Sequence, residues 1–235
     1  SRSRYSSAKG CALPLERAPL GYDVALDLSA LDRIVEYEPA DLTLTAECGV
    51  TIAALRHALA AHGQELPLEA AHATRATLGG VLAASAAGPR RRLFGAPRDR
   101  ILGARYLLGD GSTARTGGKV VKNVAGYGIH RLLCGSRGGL AVILEASLKL
   151  QPAPSARAAL IYGADHALLA DAARWSPFAR LEPVALSVAS ASLARTAGID
   201  SRGAPFVVIA GFEDDAPRVA EQEHAVTQGL GAPLQ

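Results

Sequence analysis

The sequence of 235 residues contains no methionine, and aromatic side chains make up only 5% of it. The missing initiator is read as material absent at one or both ends. With so few rings, small side chains must dominate the packing. Cysteine is scarce as well: Cys11, Cys48 and Cys134 are odd in number, widely spaced and form no CxxC pair. That excludes a disulfide framework and a zinc or iron–sulfur site, and it fits a reducing cytoplasm. No stretch approaches the roughly 20 apolar residues of a membrane span, and no signal peptide is visible. Charge of one sign is lacking too. A net charge of +3, with Phe94 as the only aromatic near the arginines at 90–92, 98 and 100, offers no stacking platform and excludes a nucleic-acid binder. The arginine run reads as solvated surface, or as the neighbour of a bound phosphate or a partner's acidic face.

What the sequence does have is 49% hydrophobic residues, enough for one large or two small cores. Its centre is Ala76–Gly95, ATLGGVLAASAAGPRRRLFG. Adjacent glycines at 79 and 80 allow close backbone approach or positive φ. The small-residue tract Val81–Ala87 suits one or two tightly packed helical turns. Two readings stand. A Gly-rich turn opening a helix aims free N–H groups at an anion; alternatively, the glycines only permit close packing of a buried turn.

The chain in order begins with a low-signal leader over residues 1–30, in which Ser6–Gly10 reads as a loop remnant. Ile34–Glu38 is a short strand. Leu42–Cys48 alternates as a half-buried strand, with Leu42, Leu44, Ala46 and Cys48 inward. Thr51 caps a helix over Ile52–His62 and Gly63 ends it. Ile101–Leu108 and Ser112–Thr116 form a hairpin around Asp110-Gly111. Leu140–Leu150 is a strand with Ile143 opposite the apolar face, and Gln151–Pro154 closes it. Beyond that boundary the pattern reads strand, helix, strand, strand, helix: strands at Ala158–Tyr162, Val184–Ser190 and Phe206–Phe212, helices near Asp165–Arg174 and Asp214–Thr227.

Three apparent motifs fail. Gly109–Ala114 matches the dinucleotide fingerprint GxGxxA but opens no helix. Gly118-Lys119-Val120 lacks the earlier glycine and the Ser/Thr of a phosphate loop. Gly135–Gly138 lacks the first glycine of a nucleophile elbow, since Cys134 stands there.

The order of ATLGGVLAASAAG, the LFGAPRDR…LGDGSTARTGG hairpin, KVVKNVAGY and the GSRGGLAVI strand resembles the FAD-binding PCMH-type domain of the vanillyl-alcohol-oxidase family. Within it the chain is most similar to the FAD-binding subunits of glycolate oxidases. The resemblance covers about residues 34–154. It implies an α+β fold: an FAD-binding PCMH-type domain over 1–154, with a partial first phosphate loop, and a smaller, incomplete α+β cap over 155–235. Thr77, Leu78, Gly79 and Gly80 would lie against the pyrophosphate and flavin. Ala83, Ser85, Gly88 and Gly95 would continue that wall, Pro67 and Leu68 would line the isoalloxazine, and Gly138, Val142 and Ile143 would meet the adenine side. Lys122 and Asn123 fall at the cofactor or at a subunit contact. The chain departs from the family's usual Asn at Ser85, Asp at Gly128, Glu at Arg137 and glycine at Ala141. No His or Cys matches a covalent attachment motif, so FAD is expected to be non-covalent.

Oxidation of a 2-hydroxy acid needs a base for the hydroxyl proton and cations for the carboxylate. The residues show no such constellation, and the catalytic group is unassigned. No histidine pair has metal spacing; only His72 and His130 flank the cofactor segments. Two expectations follow. One is an FAD-linked oxidoreductase subunit acting on a D-2-hydroxy acid such as glycolate, passing electrons to flavoprotein and iron–sulfur partner subunits. It would be cytoplasmic, or peripheral to the inner membrane through those partners. The other is a non-catalytic scaffold of the same fold that has lost FAD.

Overall fold

In this computed structural model the described residues are 5–7, 24–118, 128–171 and 180–234. They divide into two units. The first comprises Ser1–Gly88 and Gly95–Ala153; the second comprises Pro89–Phe94 and Pro154–Gln235.

The first unit is built on a five-stranded antiparallel sheet in the order β3-β4-β8-β6-β7. Its strands are β3 (Ile34–Glu38), β4 (Thr43–Glu47), β6 (Ile101–Leu107), β7 (Thr113–Gly117) and β8 (Val142–Lys149). Two small pairs flank it, parallel β1 (Tyr5–Ser7) with β2 (Val24–Leu26), and β5 (Gln64–Glu65) with β9 (Gln151–Pro152). On the apolar face Leu44, Ala46, Leu148 and Ala104 pack against Ile52, Leu55 and Leu59 of α1 (Ile52–Ala60) and Leu78, Val81 and Leu82 of α2 (Leu78–Ala84). Thr51 caps α1 by accepting from the Ala54 amide, and Gly63 stands at φ +61° just beyond its end.

Two strand expectations are corrected. Strand β4 is not half-buried, because Thr45 is 5% and Glu47 2% exposed. Arg33 donates to both Glu47 carboxylate oxygens, at 3.2 and 2.9 Å. Across the same row Glu47 pairs with Glu145 and Glu145 with Arg105, whose neighbour on β7 is Arg115. The guanidinium groups of Arg105 and Arg115 lie 3.4 and 3.6 Å from Glu145. The strand is thus closed on its polar side by a charge ladder. In β8 a register shift between Arg105 and Tyr106 breaks the alternation, so that Ile143 pairs with Tyr106 and joins the core at 4% exposure. A bulge switches faces where strict period-2 reading cannot.

The leader reading is corrected for the described part of residues 1–30, since β1 and β2 pair and residues 26–31 form a turn on the first unit. The Leu31 amide donates to Leu28 O, and the Gly49 amide to Leu31 O at 2.7 Å.

The second unit is a three-stranded antiparallel sheet, β10-β12-β11, from β10 (Ala156–Ala164), β11 (Ala185–Ser190) and β12 (Phe206–Asp214). It carries α5 (His166–Ala170), α6 (Ala191–Thr196) and α7 (Ala216–Leu230), while α4 (Ile129–Leu133) belongs to the first unit. Helix α6 escaped the sequence reading, although Ser190 caps it by accepting from the Leu193 amide. The arginine run is part of this unit. Arg90 pairs with Glu213, with side chains 15% and 11% exposed, and lies 4.8 Å over the Phe94 ring. Arg92 donates to the Pro183 carbonyl at 2.7 Å. Within α3 (Arg91–Phe94) and its approach, these arginines hold protein groups, so the solvated-surface reading does not apply to Arg90.

Candidate functional site

A cavity of about 120 Å³ opens in the first unit where α2, the end of β4, the 26–29 turn and the start of β8 converge. Sequence-expected residues Thr77, Gly79, Gly80, Ala83, Gly138, Val142 and Ile143 line it together. Each wall follows from local chemistry. Thr77 is the N-cap of α2, accepting from the Gly80 amide at 3.2 Å, and the helix carries small side chains along the cavity. Strand β4 ends at Glu47↔Glu145, with one last bond from Cys48 N to Leu144 O at 2.8 Å. Strand β8 stays paired with β6 as far as Val142. Among the described residues, β8 therefore has no β4 partner alongside Val142 and Ile143, and both residues line the cavity. An uncovered strand edge reads flat polar ligands through main-chain groups.

The expected source of anion binding is corrected. The first-turn amides of α2 do not point at open space. Leu78 N donates to Val50 O and Gly79 N to Cys48 O, both at 2.8 Å, and Gly80 N donates to Thr77 Oγ1. Glycine is required at 79 because a Cβ there would stand 2.9 Å from Cys48 Cβ and 3.0 Å from Cys48 O. Of the two readings of the glycine pair, close packing describes Gly79.

Other expected residues lie elsewhere. Leu78 is buried in the core, as are Pro67 and Leu68. Gly88 packs against the Glu69 side chain, and Gly95, at φ +79°, faces Asp99. Ser85 ends α2 in the left-handed region at φ 50°, a conformation that Asn also tolerates. None of these six lines the cavity. Lys122 and Asn123 lie outside the described residues.

Sequence reasoning missed Leu26–Ser29, Cys48, Gly49, Arg137 and Ala141 as lining residues. Gly49 admits no side chain, since a Cβ there would fall on the Leu28 carbonyl and 2.7 Å from that of Leu31, and nothing in the sequence signals that approach. Arg137 sits in the glycine turn at φ 53°, between Gly135 and Gly138 at φ 83° and 76°. This turn caps α2 from its C-terminal side. Gly135 N donates to Leu82 O at 3.0 Å and Arg137 N to Ala83 O at 2.8 Å.

The titratable groups narrow the chemistry. Burial pushes the Cys48 thiol far above its ordinary range and the Cys134 thiol up to about 11, so neither is a thiolate at neutral pH. Burial, and then the Arg131 charge, lowers the pKa of His130. Among the described residues its Nδ1 is buried with no hydrogen-bond partner, its ring packs against Gly117, and it is not among the residues lining the cavity. His72, exposed at φ 55°, does not line it either. Among the described residues no group of acidic, histidine and cysteine side chains has the makings of a metal site, and no helix is long and apolar enough to cross a membrane.

The cavity is smaller than the roughly 300–1,000 Å³ that buries a whole drug-sized ligand. With a strand edge, a cap of small residues and one arginine, it fits one end of an extended dinucleotide such as FAD.

Comparison with known proteins agrees. Residues 10–117 match the FAD binding domain family. Glycolate oxidase subunit GlcE of Escherichia coli is 44% identical over 136 residues, 57% of this chain and 39% of that protein. Glycolate oxidase subunit GlcD of Bacillus subtilis is 34% identical over 131 residues, 56% of this chain and 28% of its own length. D-2-hydroxyglutarate dehydrogenase of Xanthomonas citri is 30% identical over 132 residues, again 56% and 28%. The chain thus matches less than half the length of these relatives. A solved structure of alkyldihydroxyacetonephosphate synthase superposes with a TM-score of 0.72 at 19% identity, covering 93% of this chain and 45% of that one, which shows the shared fold.

Proposed function

We propose, from the match of residues 10–117 to the FAD binding domain family, that this chain is the flavin-binding part of a glycolate-oxidase-like oxidoreductase of the PCMH type. The first unit, 1–88 with 95–153, is the FAD-binding domain, and the second, 89–94 with 154–235, is part of the cap. The substrate class is a D-2-hydroxy acid such as glycolate, and the electron acceptors are flavoprotein and iron–sulfur partner subunits in or near the cytoplasm. The observation that carries the reading is the cavity joining the small-residue side of α2 to the uncovered start of β8. The similarity to two glycolate oxidase subunits supports the substrate class.

Bound FAD supplies the two-electron redox step, while the protein positions and tunes it. This chain's part is binding. Thr77 and Ala83 line the cavity beside the glycines of α2. The main chain of Val142 and Ile143, which line the same cavity, would hold the adenine edge. Asp27, Cys48 and Arg137 are the only ionisable side chains among the described lining residues, and Asp27 accepts from the Ser29 amide at 2.9 Å.

A second reading, a scaffold that has lost FAD, is favoured by one observation: three first-turn amides of α2 already have protein acceptors. The visible spectrum of the purified protein, before and after denaturation, separates the two. Flavin bands with near-stoichiometric release support the oxidoreductase and the non-covalent cofactor. A colourless protein that also ignores added FAD overturns it in favour of the scaffold.

A further inference from the structure

We propose that Glu47, which does not itself line the cavity, is the positioning residue that sets its width for the adenosine half of the dinucleotide, a role that rests on the flavin reading above. The turn at 26–29 is one wall of the cavity, and α2 and the start of β8 are others. Within itself the turn is lightly held: Leu31 N donates to Leu28 O and Ser29 N to Asp27 Oδ1, both at 2.9 Å. Its place on the sheet comes from residues 31 and 33. The Arg33 amide and Nε donate to Glu47 Oε2 at 3.0 and 3.2 Å, Nη2 donates to Oε1 at 2.9 Å, and the Glu47 amide donates back to Arg33 O at 2.9 Å. Just beyond Glu47, Gly49 N donates to Leu31 O at 2.7 Å.

Glu47 acts through the bonds it already has. Backbone pairing alone is a poor guide here, because the ladder between β3 and β4 shifts register between Ile34 and Glu36, next to the point where the turn joins. The carboxylate supplies what the ladder lacks. A fork of donors on both oxygens fixes distance and plane together, and at 2% exposure the carboxylate keeps its place only against those partners. Cys48 and Gly49, the next two residues, line the cavity. The clasp therefore joins the end of β4 to the turn, and both are walls of one site. Width matters because a gap of about 0.5–1 Å forfeits roughly a quarter to a half of each dispersion contact, and a wall set before binding leaves less to be ordered by the ligand.

The test is calorimetric titration of the full chain, stripped of any bound flavin, with ADP and with FAD, alongside amide hydrogen exchange. Glu47→Gln keeps the shape and removes the charge; it should weaken ADP and FAD by about tenfold. Arg33→Lys keeps the charge and loses the fork. Its affinities should fall between those of wild type and Glu47→Gln, and it carries the test by itself if Glu47→Gln does not fold. In both variants the Leu31 and Gly49 amides should exchange faster, while α1 and β6 stay as protected as in wild type. Unchanged ADP affinity overturns the role of Glu47, whatever the exchange at 31 and 49. Weaker ADP binding with α1 and β6 also deprotected is general loosening and overturns it too, as does weaker binding with no change at 31 and 49. A wild type that binds ADP and ignores FAD sinks the flavin reading and leaves Glu47 to be judged on ADP. One that binds neither overturns both.

Discussion

His130 shows how one side chain sets the acid tolerance of the first unit. It is 9% exposed, and its Nδ1 is buried with no partner among the described residues. Protonating it in place would bury an uncompensated charge. Its folded pKa lies below the ordinary 6.5, so between those values the unfolded chain binds more protons than the folded one. Stability is therefore full above about pH 6.5 and is lost as pH falls toward the lowered value. Urea midpoints measured from pH 7.5 to 5 should decline for wild type and decline less for His130→Leu. Parallel slopes would remove His130 from the account. At this scale the sequence was legible for isolated geometry and poor for partners. Thr51 as a cap could be read from its position, but nothing in LTLTAEC told that Glu47 would be buried beneath Arg33, 14 residues earlier.

Helix α2 is an element held at both ends. Its N-terminal amides dock on Val50, Cys48 and Thr77, and its C-terminal carbonyls take amides from Gly135 and Arg137. The small residues in between permit that double fit. Thr77→Ala removes the cap bond to Gly80 and should cost about 1 kcal/mol in urea unfolding. An unchanged midpoint would mean that docking on the 48–50 turn alone fixes the helix start. The helix was legible as a short, tightly packed segment because its composition allows little else. Its start was misplaced by the glycine pair, which read as a loop and proved to be the first helical turn. Glycine is disfavoured within helices by roughly 1 kcal/mol, and here contact with Cys48 overrides that preference. Strand β8 was misread for a related reason, since a bulge depends on the partner strand and leaves no mark in its own alternation.

Across the whole molecule, the boundary near 153 was visible in Gln151-Pro152-Ala153-Pro154. The assignment of Pro89–Phe94 to the second unit was not. A run of arginines has the same composition whether it is solvated or anchored, and the anchor, Glu213, lies 123 residues away. Among the described residues, Arg90→Ala leaves Glu213 with Arg157 as its cation, at 3.6 Å, and should cost about 2 kcal/mol because a largely buried carboxylate loses its nearest cation. Hydrogen exchange should show the loss in β10, β11 and β12, with β4 and β8 as protected as before. Equal loss in both sheets would refute a local role.

The same six-residue segment governs how this architecture can be recombined. A crossover that joins residues 154–235 to the first unit of a distant relative imports Glu213 without Arg90, and the Pro183 carbonyl without Arg92. Viable chimeras must carry 89–94 and 154–235 as one inherited block, although 59 residues of a different unit separate them in the gene.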